Sequence, residues 1–291
     1  MREIQQACRS LARAPGLTLA VVLCLAVGAA AVGITFGAVD AVLLRPLPYP
    51  EEGRLVLLWG RLLDGSRDRM VSSYPDFLDW RERSRSFRQL ATFNVWFPTL
   101  TGTDEPEKLL GAIVSQDFFP ALGTRPARGR LFLPEDFPSD SEPVVVLGHG
   151  LWRRRFGGDP GVIGRRIELD GRPVTVAGVL PPEFRHPEPL YLDEATEIWS
   201  PLAFKPDALP RGQRFLRVLG RLAPGVPLER AQTEMDGIAQ ALAREHPEEN
   251  EGRGIQLVPL REQMVGDLQR PLILSLGAAG FLLLIACANV A

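Results

Sequence analysis

Hydrophobic and polar positions along the middle of this chain repeat with two different periods, and each period predicts its own elements. In "RFLRVLGRL" Leu216, Val218 and Leu222 fall on one side of a two-residue repeat and Arg217 and Arg221 on the other, which predicts a half-buried strand. After "APGVP" the spacing changes: Leu228, Ala231, Met235, Ile238, Ala239 and Leu242 recur at three and four, the stripe of an amphipathic helix. His246-Pro247 ends that helix, and Ile255 to Leu260 returns to a strand. A similar unit comes earlier, with a strand over Arg54 to Trp59 and a helix from Tyr74. Ser73 is suited to cap this helix, with Pro75 and Asp76 in its first turn and Phe77, Trp80 and Phe87 at roughly helical spacing. Ala91 to Thr101 and Lys108 to Val114 then read as two strands joined by "GTDEPE". Two βαβ-like pieces so far apart predict an α+β layer interrupted by an inserted subdomain.

The insert carries its own signals. Val144 to Leu147 reads as a buried strand and Gly148 to Phe156 as a short helix, on which Leu151, Trp152 and Phe156 share a face. Gly157 is placed to end that helix in the left-handed conformation, where a residue with a Cβ is strained. Beyond it, Asp170-Gly171 between Ile167/Leu169 and Val174/Val176 predicts a tight hairpin. The basic stretch "WRRRFGGDPG" invites an anion-site reading. A phosphate cradle, however, needs amides at a helix N-terminus, and these glycines follow the helix. The arginines therefore read as a solvated basic face above a buried Trp152 and Phe156.

The ends of the chain show no such alternation. From Ala14 to Val39 and from Pro271 to Ala291 no residue is charged, and each run reaches the roughly 20 residues that a spanning helix needs. The first run could pass for a signal peptide, with Ala29-Ala30-Ala31 as a cleavage site. Its apolar residues continue to Leu44, well beyond the roughly 7–15 of a signal core, which favours an uncleaved helix. Arg2, Arg9 and Arg13 before it predict a cytoplasmic N-terminus and place residues 45–270 outside. Gly33 and Gly37 form a GxxxG pair, read either as a helix-packing face or as chance glycines in a Gly- and Ala-rich helix. Asn289, polar within the second run, is a candidate to face another helix.

Composition narrows the function. A formal charge of −2 over 291 residues argues against a nucleic-acid partner, which calls for a clustered basic surface. The three cysteines, Cys8, Cys24 and Cys287, lie in or beside the apolar runs, so no disulfide holds the middle region. Neither lysine sits in a Walker A loop; His149, His186 and His246 are isolated; no H-E-x-x-H or G-x-S-x-G occurs. The reading is of a non-enzyme with no cofactor and no metal site.

Several blocks in series resemble one family: "RSLARAPGLTLAVVLCLAVG", "VDAVLLRPLPYP", "SYPDFLDWRERSRSF", "FFPALGTRPARGRLF", "VVVLGHGLWRRRFGGDPGVIGRRIELDGRPVTVAGVLPPEF" and "LIACANVA". In order, they resemble ABC-transporter permeases of the MacB/FtsX type with a MacB-like periplasmic core domain. The resemblance implies a cytoplasmic segment 1–13, a first membrane helix and stalk over 14–44, an extracytoplasmic α+β domain over 45–270, and a second helix over 271–291. Within the domain it implies porter-like parts near 50–118 and 212–262 and a β-rich insert near 119–205. It further implies an inner-membrane location, a separate ABC ATPase subunit that hydrolyses ATP, lipid contact, and packing against other permease helices or a second permease copy. Three more helices normally follow the outer domain, so the chain is expected to be a fragment, a truncated gene product or the N-terminal part of a longer permease. The alternative is a membrane-anchored binding or sensor module without transport. An anchored hydrolase ranks third, for want of a nucleophile or metal set.

Overall fold

The computed structural model describes residues 15–40, 43, 46–102, 105–187, 195–203 and 209–290. The basic segment 1–13, with its orientation signal, lies outside them. Contacts divide the chain into two units, residues 47–263 and the two terminal segments 1–46 and 264–291.

In the larger unit the elements in chain order are β1 (Leu55–Leu62), β2 (Ser72–Ser73), α2 (Tyr74–Arg83), β3 (Phe87–Trp96), β4 (Thr99–Thr101), β5 (Glu107–Lys108) and β6 (Gly111–Val114). Next come α3 (Phe118–Leu122), β7 (Arg128–Gly129), β8 (Val144–Leu147), α4 (His149–Phe156), β9 (Arg166–Leu169), β10 (Arg172–Val179) and β11 (Ile198–Pro201). The unit closes with β12 (Arg214–Leu222), α5 (Leu228–Glu245), α6 (Pro247–Asn250) and β13 (Arg253–Pro259). The label α1 belongs to Pro15–Val39 and α7 to Leu260–Val290.

One continuous sheet runs β13-β1-β12-β3-β6-β11-β8-β10-β9-β4-β5. Its first four strands are antiparallel neighbours. With α2 after β1 and α5 after β12 they make a split βαβ–βαβ layer, whose second half is reached only after the intervening strands. Both helices bury their apolar stripes on one face. Val56 and Leu58 of β1, Val218 of β12 and Ile255 and Leu257 of β13 meet Phe77 and Trp80 of α2 and Met235, Ile238 and Leu242 of α5. The Ser73 hydroxyl caps α2 by accepting from the Asp76 amide at 3.2 Å, and Glu234 of α5 accepts from the Arg85 and Ser86 amides just past the helix. Helix α2 stops at Arg83, so Phe87, placed on the helix by its spacing, opens β3 instead. The Ser84–Ser86 turn between them resets the period.

The remaining strands enclose a second core, in which Leu151 and Trp152 of α4 pack on Val145, Leu147, Ile167, Leu169, Val174 and Val176. The β4–β5 hairpin was grouped by sequence order with the first part of the domain. It pairs with β9 at the far end of the sheet, and Leu100 and Leu109 join this second core. The mixed α+β architecture expected from the periodicity is present. The two parts share a sheet because β11 pairs in parallel with β6 and antiparallel with β8.

Among the described residues no single helix is long and apolar enough to cross a membrane. Leu260–Gly266 and Gln269–Ile285 meet the length and composition together, across a 52° bend. Pro271 sits inside this helix and cannot donate to the carbonyl one turn before it, which accounts for a bend at that place.

Candidate functional site

The place where chemistry and position coincide is the collar where the chain enters and leaves the larger unit. Its leading segment, residues 47–54, holds two acids, one arginine and a tyrosine, and Tyr49, Glu52 and Arg54 are each tied to a different part of the fold. A Glu52 carboxylate oxygen accepts from Arg261 at the start of α7, at 2.9 Å, while the other accepts from the Leu47 amide. Arg54 donates through Nε and a terminal nitrogen to the Leu222 carbonyl at the end of β12, at 2.9 and 2.6 Å, and pairs with Glu51. Tyr49, buried, donates its hydroxyl to the Arg185 carbonyl at 2.5 Å. Burial pushes this phenol far above the usual tyrosine range, with Arg185 only partly opposing it, so it stays a neutral donor. On the outgoing side, Trp59 Nε1 donates to Gln263 at 3.2 Å.

Arg221 completes the collar. The alternation in β12 assigns it to the polar face, yet it is only 6% exposed. Its guanidinium donates to the Ala121 carbonyl at 2.6 Å, to Pro50 at 2.9 Å and to Glu51 at 3.4 Å. Burial first, and then the neighbouring Arg54 charge, lower its pKa from the usual arginine value. The side chain thus uses its planar fork to tie three carbonyls from two sequence-distant segments, a role that the compact ammonium of lysine does not match.

Helix α3 supplies the Ala121 carbonyl and is fixed from the other side by aromatic packing. Phe118 lies edge-on to Phe93 with ring centroids 5.5 Å apart, Phe119 lies 6.4 Å from Trp199, and Phe184 lies 5.4 Å from Trp199. Gly123, at φ 65°, ends α3 against Pro50: a Cβ there would come within 2.5 Å of the proline ring. Sequence reasoning missed both α3 and Arg221. Five residues are too few to show a period, and β12 alone does not reveal what covers its polar face.

A second buried network lies under α2. Arg211 and Arg214 bind the two oxygens of Asp76, the first at 2.6 Å, and the Asn250 amide donates to it at 3.0 Å. Burial pushes the Asp76 carboxyl up, but the Asn250 hydrogen bond and the Arg214 charge outweigh it and hold the carboxyl below the usual range.

The candidate residues named from sequence fall elsewhere. Trp152 is buried, with its indole donating to the Asp159 carbonyl at 2.9 Å, and Phe156 is half-buried beside it. Gly157 ends α4 at φ 60°, and Asp170-Gly171 turns the β9–β10 hairpin with both residues at positive φ. Arg153 and Arg154 of α4 are exposed, on the face read from sequence as solvated and basic, and that face carries ion pairs as well. Arg154 reaches Glu197 and Glu107 at 2.7 Å each, and Arg155 reaches Glu107 at 3.0 Å, because the β4–β5 hairpin folds back to bring carboxylates alongside. Gly33 and Gly37 have open space around them, and it is Gly28 that meets Leu283 across α1 and α7. Asn289 lies in the helical backbone of α7, its side chain outside the description. Among the described residues no group of His, Cys, Asp or Glu is arranged to hold a metal ion.

The collar is thus a set of arginine–carbonyl and arginine–carboxylate contacts that tie the leading segment to α3, β12 and the start of α7. The MacB-like periplasmic core domain family matches residues 18–238, more than half of the sequence and most of the sheet just described. The chain belongs to that family. It is a MacB-like periplasmic domain of the ABC-transporter permease family, whose members are generally non-catalytic and work with ABC ATPases. Among solved structures, a domain of a protein described as a permease from Porphyromonas gingivalis is similar at a TM-score of 0.54 and 17% identity, covering 72% of this chain and 92% of its own. The periplasmic region of MacB from Actinobacillus actinomycetemcomitans is similar at 0.52 and 15%, covering 71% and 89%. At such identities the likeness speaks for the MacB-like fold. No curated protein matches the chain.

Proposed function

We propose that this chain is a permease component of an ABC transporter, whose outer domain receives motion generated by an ABC ATPase subunit and uses it for export or efflux. In this reading the N-terminus is cytoplasmic and α1 and α7 cross the inner membrane in contact with lipid. Residues 45–270 are periplasmic, with porter-like parts near 50–118 and 212–262. Further permease helices or a second permease copy pack against the membrane helices.

One observation carries the proposal: the leading segment and the start of α7 are both fastened to the sheet, and to one another through Glu52 and Arg261. In this reading a displacement delivered along either one is passed into β1, β12 and β13. A freely tethered binding module has no need of such fastening.

The experiment uses cells expressing the chain with its ATPase partner and measures survival against an exported toxic compound. Arg221→Met together with Glu52→Gln is expected to abolish protection while leaving membrane expression and ATPase association intact. Full protection by that double variant would overturn the proposal. Orientation is read separately by impermeant maleimide in cells with a permeabilised outer membrane, on variants with Cys24 and Cys287 replaced. A cysteine at Ser139 is expected to label before lysis and Cys8 only after it.

A further inference from the structure

Beside the Asp76 network, and apart from the collar, a small cavity of about 30 Å³ opens between α2, the start of β13 and the helices α5 and α6. Trp80, Leu242 and Ile255 form its apolar wall, and Ser72, Arg214 and Arg253 its polar one. Two of these polar groups are unusual. Ser72 is 2% exposed and its hydroxyl has no hydrogen-bond partner. Arg253 is half-buried, and among the described residues no hydrogen bond or ion pair reaches its guanidinium. Its neighbours Arg211 and Arg214 are matched by Asp76 and Asp79, so the positive charge left over at the cavity is that of Arg253.

Buried polar groups are nearly always satisfied, and a half-buried cation with no ion pair of its own favours an added acceptor. Both groups lack the same thing, a hydrogen-bonded acceptor oxygen, and the one negative charge that acts on Arg253, Asp76, is already bound by Arg211 and Arg214. A water molecule supplies the acceptor and not a charge. The space holds about two water-sized occupants at roughly 10–15 Å³ each. That suits a carboxylate head and excludes a whole drug-sized molecule. The Asp76 carboxylate also lines the cavity, so a monoanion fits there better than a doubly charged phosphate.

We infer that this cavity is a carboxylate-binding site, in which Arg253 and Ser72 hold the head group of a short-chain monocarboxylic acid against Trp80, Leu242 and Ile255, with its apolar stem lying out toward Met70 and Val71. Burial, and then repulsion from Arg214, pull the Arg253 pKa down, with Asp76 only partly opposing them, and the net effect favours an added negative charge. Half-buried Met70 and Val71, which also line the cavity, mark the side from which a ligand enters. The inference does not rest on the transport reading.

Saturation-transfer NMR on the full chain in detergent micelles, with butyrate and butyramide as probes, tests it. Butyrate is expected to bind saturably in the millimolar range and butyramide not to. Arg253→Gln should weaken butyrate about tenfold or more, the value of one charge-assisted hydrogen bond. Arg244→Gln, which removes an exposed cation on α5, should leave it unchanged. If Arg253→Gln fails to melt cooperatively, Arg253→Lys serves in its place and is expected to bind butyrate more weakly than the parent yet still prefer it to butyramide. Equal binding of the two probes, equal loss in the Arg244 variant, or no saturable signal would overturn the site and leave a cavity that holds only water.

Discussion

The helix-covered end of the sheet and its β-rich end both depend on arginine, in opposite ways. At the helix-covered end Arg211 and Arg214 keep 15% and 16% of their side chains exposed, and Arg221 is more deeply buried still. At the β-rich end Arg154 makes equally short ion pairs with 47% of its side chain in water. Distances alone would rank the two sets as equals. Solvent separates them: an exposed pair is screened and contributes little, whereas removing one partner of a buried pair strands a charge. The lesson is that the buried arginines fix the geometry of the helix-covered half and the collar, while the β-rich half is held by turns and by the packing of Trp152.

Substitutions at four positions put that contrast under strain, each read by chemical or thermal unfolding of the full chain. Asp76→Ala removes the counter-charge of two buried arginines and is expected to cost about 3–5 kcal/mol. A loss under about 1 kcal/mol, the level of a surface pair, would erase the distinction between the two ends. The same residue predicts a pH dependence. Its folded-state pKa lies below the unfolded value of about 3.9, so its stabilisation is fully present above that value and is lost as pH falls through the lower folded pKa. Asp76→Asn should therefore remove part of the acid-side loss of stability that the parent shows. An unchanged acid limb would mean that Asp76 does not contribute in this way.

Arg221→Met keeps the bulk of the side chain and leaves the Pro50 and Ala121 carbonyls without their donor, at an expected cost of about 1–3 kcal/mol. Added salt should not reduce this loss, because the site is shielded from it; a loss that shrinks with salt would move Arg221 to the surface class. Gly157→Val forces a β-branched residue into the left-handed cap of α4 and should cost about 1–2 kcal/mol. Since open space surrounds that glycine, the cost is conformational, and Gly157→Asn should recover most of it. Arg154→Ala is expected to cost about 0.2–1 kcal/mol and to fade as salt is raised. If it proved costlier than Gly157→Val, the β-rich end would depend on its ion pairs after all.

The amino-acid sequence by itself determined the local elements, because the signals for them are local. The stripe from Leu228 to Leu242 needs only helical geometry to be recognised, Ser73 needs only the helix that it caps, and Asp170-Gly171 needs only the handedness of a tight turn. The uncharged runs at the ends and the split layer were legible for the same reason. What only the tertiary structure decided was the partner of each polar side chain. Arg221 and Arg217 share one face of the β12 repeat, yet Arg221 is buried because α3 and residues 50–51 fold across it. Arg154 finds Glu107 because β4 and β5 cross to the far end of the sheet, and Asp76 finds Arg211, Arg214 and Asn250 from more than half a domain away in sequence. Periodicity reports which way a side chain points from its own backbone. It carries no information on which distant segment will lie opposite, and that is set by how the strands order themselves in the sheet.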